Sequence, residues 1–216
     1  MIEIVAVAVL SYLAGSLPTS VIVGRLFFGK DPRNYGSGNA GGTNSFRLFG
    51  WKAGIVVIAV DVGKGAAASL LIAQLALNGP LPYPLVQLVA GICAVVGHIW
   101  TLFAGFRGGK GVGTAAGMLL GLYPLPFLCG AVAFVIAVAL TGWISAGSIA
   151  GAVVFPVSAW ILSALGISLS PFLLWLSIPT ALLILFTHRA NIRRISQGTE
   201  NRFPKLMLLR RRRPAL

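Results

Sequence analysis

"GVGTAAGMLLGLYPLPFLCGAVAFVIAVALT", residues 111–141, decides the fold of this chain. A helix that crosses a bilayer takes about 20 apolar residues. The stretch therefore reads as one long crossing or as two short ones. Pro124 and Pro126 interrupt it, and proline breaks a helix because it lacks an N–H and its ring clashes with the preceding turn. Charge separates the two readings. The other apolar segments are 3–28, 53–77, 84–105, 146–166 and 170–188. Lys30, Arg33, Arg47 and Lys52 follow the first of these. Arg107 and Lys110 follow the third, and Arg189, Arg193, Arg194, Arg202, Lys205 and the run Arg210–Arg213 follow the last. Basic loops stay on the cytoplasmic side. With the N-terminus outside, the first two basic loops lie inside, and the tail joins them only if the number of crossings is odd. Residues 111–141 then cross twice, as a glycine-rich helix over 111–122 and a second helix over 124–141. The sequence predicts an all-α integral membrane protein with seven transmembrane helices, the N-terminus outside and the C-terminus cytoplasmic. A helix over 111–122 is only about 18 Å long, so it starts within the membrane or meets a thinned region.

Composition agrees. Of the 216 residues, 57% are hydrophobic and only 10% are charged, too little polar surface for a soluble domain. Mean hydropathy is +0.90. One membrane domain over 1–203 is expected, with a basic cytoplasmic tail over 204–216. No basic residue precedes the first apolar run, so that run reads as a membrane helix rather than a cleaved leader. Seventeen Lys and Arg stand against four acids, Glu3, Asp31, Asp61 and Glu200, for a net charge of +13. The arginine run reads as a topology signal and an attraction to anionic lipid, not as a nucleic-acid contact. Cys93 and Cys129 lie in apolar segments and read as small hydrophobes. Gly113–Gly117–Gly121 and Gly147–Gly151 recur at four-residue spacing, which lets helices approach closely in lipid.

With this topology the unusual polar stretches gather at one membrane face. They are 36–47, "GFRGGKGVGT" at 105–114, "WISAGS" at 143–148 and "THRANIRRISQGTE" at 187–200. Glycine lets backbone N–H groups converge on an anion because no Cβ blocks the approach. Lys110 and Arg47 supply charge to a phosphate, and Ser37, Thr43, Asn44, Ser145 and Asn191 supply neutral hydrogen bonds. His188 donates or accepts near neutral pH. The expectation is an anion cradle for a substrate carrying phosphate.

Several sharper motifs fail. "GSGNAG" matches G-x-G-x-x-G, but no strand precedes it and no βαβ unit is available for a dinucleotide site. "GGKG" lacks the first glycine of a P-loop, where Ala104 stands, and has Gly111 in place of the following Ser or Thr. Lys52 reads equally as a topology signal. Lys64 in "DVGKG" either snorkels to the surface or pairs with Asp61 one turn away. His98 in its apolar helix reads as a hydrogen-bonded structural residue. Two histidines and four scattered acids offer no metal cluster, so no metal or cofactor is expected. Neither histidine has an acid four residues on, and no Ser-His-acid triad is readable.

"GSGNAGGTN" with Arg47, "GHIWTLFAGFRGGKGVGT" and "HRANIRRISQGTE" resemble the three signature motifs of the acyl-phosphate-dependent glycerol-3-phosphate acyltransferase family of bacterial phospholipid synthesis. "GSLPTS" at 15–20 and "DVGKG" at 61–65 resemble shorter family patterns. The resemblance covers nearly the whole chain in order. Thr101 departs from the usual proline, and Gly113 from a common alanine. The resemblance implies a seven-helix fold in the bacterial inner membrane with a cytoplasmic site. It implies transfer of an acyl group from acyl phosphate to the 1-hydroxyl of glycerol 3-phosphate, giving lysophosphatidic acid and phosphate. Substrates and membrane lipids are then the partners, with no nucleic acid and no obligate protein partner.

On that basis Ser37, Arg47 and Lys110 are expected to hold the glycerol phosphate. Gly38, Asn39, Gly42, Thr43 and Asn44 cradle the acyl phosphate, with Lys64, Gly108, Gly109 and Thr114 as further binding candidates. Ser145, His188 and Asn191 complete the site and, with Lys110, are the catalytic candidates. Acyl phosphate is already activated, so positioning and charge stabilisation supply much of the catalysis. Either the donor phosphate or His188 takes the hydroxyl proton. A transporter would need charges near the midplane and a repeat architecture. A lipid-binding scaffold would explain the arginine run but not the uncharged glycine cluster.

Overall fold

The first apolar run folds as two helices. In the computed structural model, which describes residues 2–167, 171–203 and 207, α1 (Ile2–Gly15) stops short of Pro18 and α2 (Thr19–Phe28) resumes after it. Pro18 cannot donate to the turn before it, so the run breaks there. Residues 36–47 are only partly loop, because α3 (Gly42–Phe49) starts inside the glycine cluster. Then come α4 (Trp51–Leu70) with a short 3-10 continuation over Ile72–Ala76, and α5 (Tyr83–Ile99). The decisive stretch divides at its prolines, into α6 (Val112–Leu122) and α7 (Pro124–Thr141), with Tyr123 between them. α8 (Ile144–Ala164), α9 (Pro171–Thr187) and α10 (Arg189–Ser196) are the remaining helices among the described residues, which contain no strand. The basic tail, including Arg210–Arg213, lies outside the described residues except for Met207.

Among the described residues, five stretches are long and apolar enough to cross a membrane: Ile2–Phe28, Trp51–Ala76, Tyr83–Ala104, Pro124–Thr141 and Ile144–Ala164. Val112–Leu122 and Ser177–Thr187 are shorter apolar helices.

The chain divides into two compact units, Met1–Pro124 and Leu125–Leu216. Small residues hold the first together. α4 lies against α6, where a Cβ on Gly65 would collide with the Thr114 carbonyl and one on Gly117 with that of Val62. α1 lies against α5 in the same way, Gly97 facing the Tyr12 carbonyl. Val7, Ala68, Ala90 and Ala94 fill the space between these helices. In the second unit Gly151 of α8 faces the Gly130 carbonyl of α7, and Trp160 meets Trp175 of α9 edge-on at 5.1 Å. The glycine rows read from the sequence as helix-packing devices do that work. Lipid tails provide no hydrophobic drive between helices, so close backbone packing supplies the attraction instead.

Candidate functional site

Residues 35–41 form a loop organised by one buried amide, that of Asn44 in the first turn of α3. The Asn44 side chain donates through Nδ2 to the carbonyls of Pro32 (2.8 Å), Tyr35 (3.1 Å) and Asn39 (3.1 Å). Its Oδ1 accepts from the Ser37 N–H at 3.1 Å. Gly36 and Gly38 take positive φ angles of 63° and 68°, which lets the chain wrap around this amide. The loop is pinned from outside by Arg33. Its guanidinium makes a two-pronged pair with Asp31 and donates to the Ala104 carbonyl at 2.6 Å. Hydrogen bonds from Arg33, helped by Arg25, hold the Asp31 carboxyl well below the usual carboxylate range.

The second glycine segment lies against the end of α5. The N–H of Gly108 donates to the Ile99 carbonyl and that of Gly109 to the His98 carbonyl, both at 3.1 Å. These bonds satisfy carbonyls that the end of α5 leaves open. No side chain fits here. A Cβ on Gly108 would strike the His98 carbonyl, and one on Gly109 would strike His98 Nε2 and approach the Ala40 carbonyl. The two glycine segments thus meet through Ala40 and Gly109. Beside them a small recess is lined by Thr19, Asp61, His98 and Thr101. Asp61 accepts from Thr19 Oγ1 at 3.4 Å and pairs with Lys64 Nζ at 3.0 Å. His98 Nδ1 lies 3.5 Å from the same carboxylate oxygen.

In the second unit the organising group is Glu200. Its buried carboxylate accepts from Ser145 Oγ (2.8 Å), Asn191 Nδ2 (2.7 Å) and Arg194 Nε (2.7 Å). Burial pushes this carboxyl up, but the three hydrogen bonds outweigh burial and leave it below its ordinary value. His188 is 2% exposed, and its Nδ1 donates to the Ile184 carbonyl at 2.8 Å. That bond places the proton on Nδ1 and makes Nε2 the basic nitrogen.

Set against the sequence expectations, the geometry differs first at the glycine segments. The N–H groups of Ser37, Gly38, Gly108 and Gly109 all donate within the protein rather than forming an open nest of amides; Gly108 and Gly109 serve close approach, and Gly38 the positive φ of the loop. Asn44 likewise engages both ends of its amide in shaping the loop. Of the two readings of Lys64, the pair with Asp61 holds rather than snorkelling: its side chain is 6% exposed and donates to the Leu17 carbonyl as well as to Asp61. Thr114 is fully buried where α6 meets α4. Ser37, Asn39, Thr43, Arg47 and Lys110 are half-buried around the two glycine segments, with Gly42 buried at the start of α3. The first turns of α3 and α6, at Gly42–Asn44 and Val112–Thr114, carry N–H groups that have no acceptor within their helices. Ser145, Asn191 and His188 belong to the second unit, the first two gathered by Glu200.

The sequence reading missed Arg33 as a loop anchor and Glu200 as a hub. A signal was present: in a chain with four acids, three of them, Asp31, Asp61 and Glu200, hold ion pairs. Among the described residues no group of three or more His, Cys, Asp and Glu side chains is placed to hold a metal ion.

Comparison with known proteins places these features in a family. Residues 5–198 match the family described as glycerol-3-phosphate acyltransferase. The glycerol-3-phosphate acyltransferase of Chlorobaculum parvum is 44% identical over 225 residues, covering 94% of this chain and 97% of the relative. That of Chlorobaculum tepidum is 43% identical over 228 residues, with the same coverage. Among solved structures, the crystal structure of PlsY (YgiH), an integral membrane glycerol 3-phosphate acyltransferase, in its glycerol 3-phosphate form superimposes with a TM-score of 0.80 at 31% identity. It covers 93% of this chain and 95% of that one. The lysophosphatidic acid form of PlsY gives 0.78 at 28% identity, with the same coverage.

Proposed function

This chain belongs to the glycerol-3-phosphate acyltransferase family and is a multi-pass membrane protein, and we propose that its acyl donor is an acyl phosphate. The acyl group passes to the 1-hydroxyl of sn-glycerol 3-phosphate. The hydroxyl oxygen attacks the acyl carbonyl, the bond from that carbon to the phosphate oxygen breaks, and the products are lysophosphatidic acid and inorganic phosphate. The leaving phosphate takes the hydroxyl proton, so no acyl-enzyme forms. We further propose seven crossings in the bacterial inner membrane, α6 and α9 joining the five longer stretches, with the N-terminus outside and the reaction on the cytoplasmic side.

The observation that supports this reading is the meeting of the two glycine segments through Ala40 and Gly109, with Arg47 and Lys110 on the segments that meet. Two anionic substrates call for basic groups and helix N-termini with few carboxylates nearby. Ser37, Arg47 and Lys110 bind the glycerol phosphate in this reading. Thr43 and the opening turns of α3 and α6 receive the acyl phosphate, and Asn44 keeps the first loop in shape.

Purified protein in detergent, given glycerol 3-phosphate with palmitoyl phosphate, palmitoyl-CoA or palmitoyl acyl carrier protein in separate reactions, tests the donor. Lysophosphatidic acid and phosphate should appear with palmitoyl phosphate alone and fall steeply in Lys110→Ala. Product from a thioester would overturn the donor assignment. His188 is the rival proton acceptor. His188→Gln with most of its turnover intact would exclude it.

A further inference from the structure

Asp61, Lys64 and His98 are buried ionisable groups that the acyl transfer described above does not use. Each is at most 7% exposed. Together they join three pieces of the first unit. Lys64 Nζ, paired with Asp61, donates to the Leu17 carbonyl at the break before Pro18, and Thr19 just beyond the break donates to Asp61. Thr101 Oγ1 donates to the neighbouring Ser16 carbonyl, so the break is also held from the end of α5. A proline at 101 would have no such donor. On the other side, Asp61 faces His98 Nδ1, and the opposite edge of that imidazole, Nε2, is the surface on which Gly109 rests. The next residue is Lys110.

We infer that Asp61 is a positioning residue for the transfer reaction: through Lys64 and His98 it ties the helix break at Pro18 to the Gly108–Gly109 turn and so sets where Lys110 presents its charge. This rests on the reading that Lys110 binds glycerol 3-phosphate. Lys64 is thereby assigned to support rather than to substrate. The physical reason for charged groups here is direction. An apolar contact would fill the same volume, but a carboxylate paired with Lys64 and 3.5 Å from His98 Nδ1 favours one orientation of the imidazole that supports Gly109. A Lys110 held off its place loses its charge-assisted hydrogen bond to the substrate phosphate, so binding weakens more than turnover.

The test compares wild type, Lys110→Ala, Asp61→Asn and the double variant Asp61→Asn/Lys64→Met in detergent. KM and kcat come from the palmitoyl phosphate assay, the Kd for glycerol 3-phosphate from calorimetry, and the folded fraction from size exclusion. Asp61→Asn leaves Lys64 buried without its counter-charge and lowers the folded yield. The double variant removes both charges and restores that yield. If Asp61 positions the turn, the folded double variant keeps a glycerol 3-phosphate KM and Kd raised about tenfold or more, with kcat changed less. Adding Lys110→Ala to it then gives little further loss, because both changes act on one contact. Wild-type KM and Kd in the folded double variant would overturn the inference and leave Asp61 a purely structural group. Wild-type affinity in Lys110→Ala would overturn it too, by removing Lys110 from the binding site. No product from wild type would sink the donor reading alone, and the calorimetric comparison would still decide Asp61.

Discussion

Asn44 carries more of the first glycine segment than any glycine in it. Its amide meets four backbone groups, all within 3.1 Å, and 1% of the residue is exposed. Asn44→Ala leaves those groups without partners in a buried place, at a cost of about 3 kcal/mol. The variant is expected to unfold at lower temperature in detergent and to lose most acyl transfer. An Asn44→Ala protein with wild-type melting would show that the loop holds itself. Glu200 makes a parallel case in the second unit. Its folded pKa lies below the unfolded glutamate value of about 4.3. A depressed acid stabilises the fold above the unfolded value, and that contribution disappears as pH falls through the folded value. Melting temperature should therefore drop on acidification below about pH 4. Glu200→Gln should be less stable at pH 7 and lose less on acidification than the wild type. Equal acid sensitivity in the two would remove Glu200 from the account. Both side chains lie in motifs quoted from the sequence. Their roles were not legible there because four hydrogen bonds to one amide, or three to one carboxylate, are three-dimensional facts.

Helix pairing depends on backbone approach, and the small residues differ sharply in what they permit. Gly117 of α6 faces the Val62 carbonyl and the Ala66 N–H of α4, with no room for a Cβ. Gly63, on the same α4, has nothing within 4 Å of where its Cβ would stand. Gly117→Leu should separate α4 from α6 and abolish folding, read as loss of the monodisperse peak on size exclusion. Gly63→Ala should leave peak and activity unchanged, since it adds only a methyl at an exposed position with open space around it. A folded Gly117→Leu protein would refute the close-packing account. The four-residue spacing of Gly113, Gly117 and Gly121 announced such a surface in advance. It could not say that α4 is the partner, because spacing describes one helix and a partner is chosen by two. The break at Pro18 shows the same limit. The proline was visible, but the groups that hold the break come from α4 and α5.

Across the whole molecule, the proposed topology makes a prediction that no single helix carries. Single cysteines introduced at Gly29, Gly105 and Gly198 should react with an impermeant maleimide only after cells are opened. One at Gly79, between α4 and α5, should react in intact cells. The variants start from a chain with Cys93 and Cys129 replaced by alanine and shown to keep activity. Labelling of Gly79 and Gly198 positions from the same side would break the odd parity and require an even number of crossings. Arg33 belongs at this scale as well. It ties the first basic loop to the Ala104 carbonyl after α5, a link between segments that the parity argument puts on one face.

The sequence by itself determined the membrane class, the division of 111–141 at its prolines and the family, because hydropathy, proline chemistry and ordered motifs are properties of the chain taken one stretch at a time. Only the tertiary structure decided that the glycine amides face carbonyls, that Lys64 is held inside by Asp61 and Leu17, and that Glu200 gathers Ser145, Asn191 and Arg194. The reason is physical. A buried polar group must find a partner wherever the fold supplies one, and that partner is set by distance in space rather than by separation along the chain.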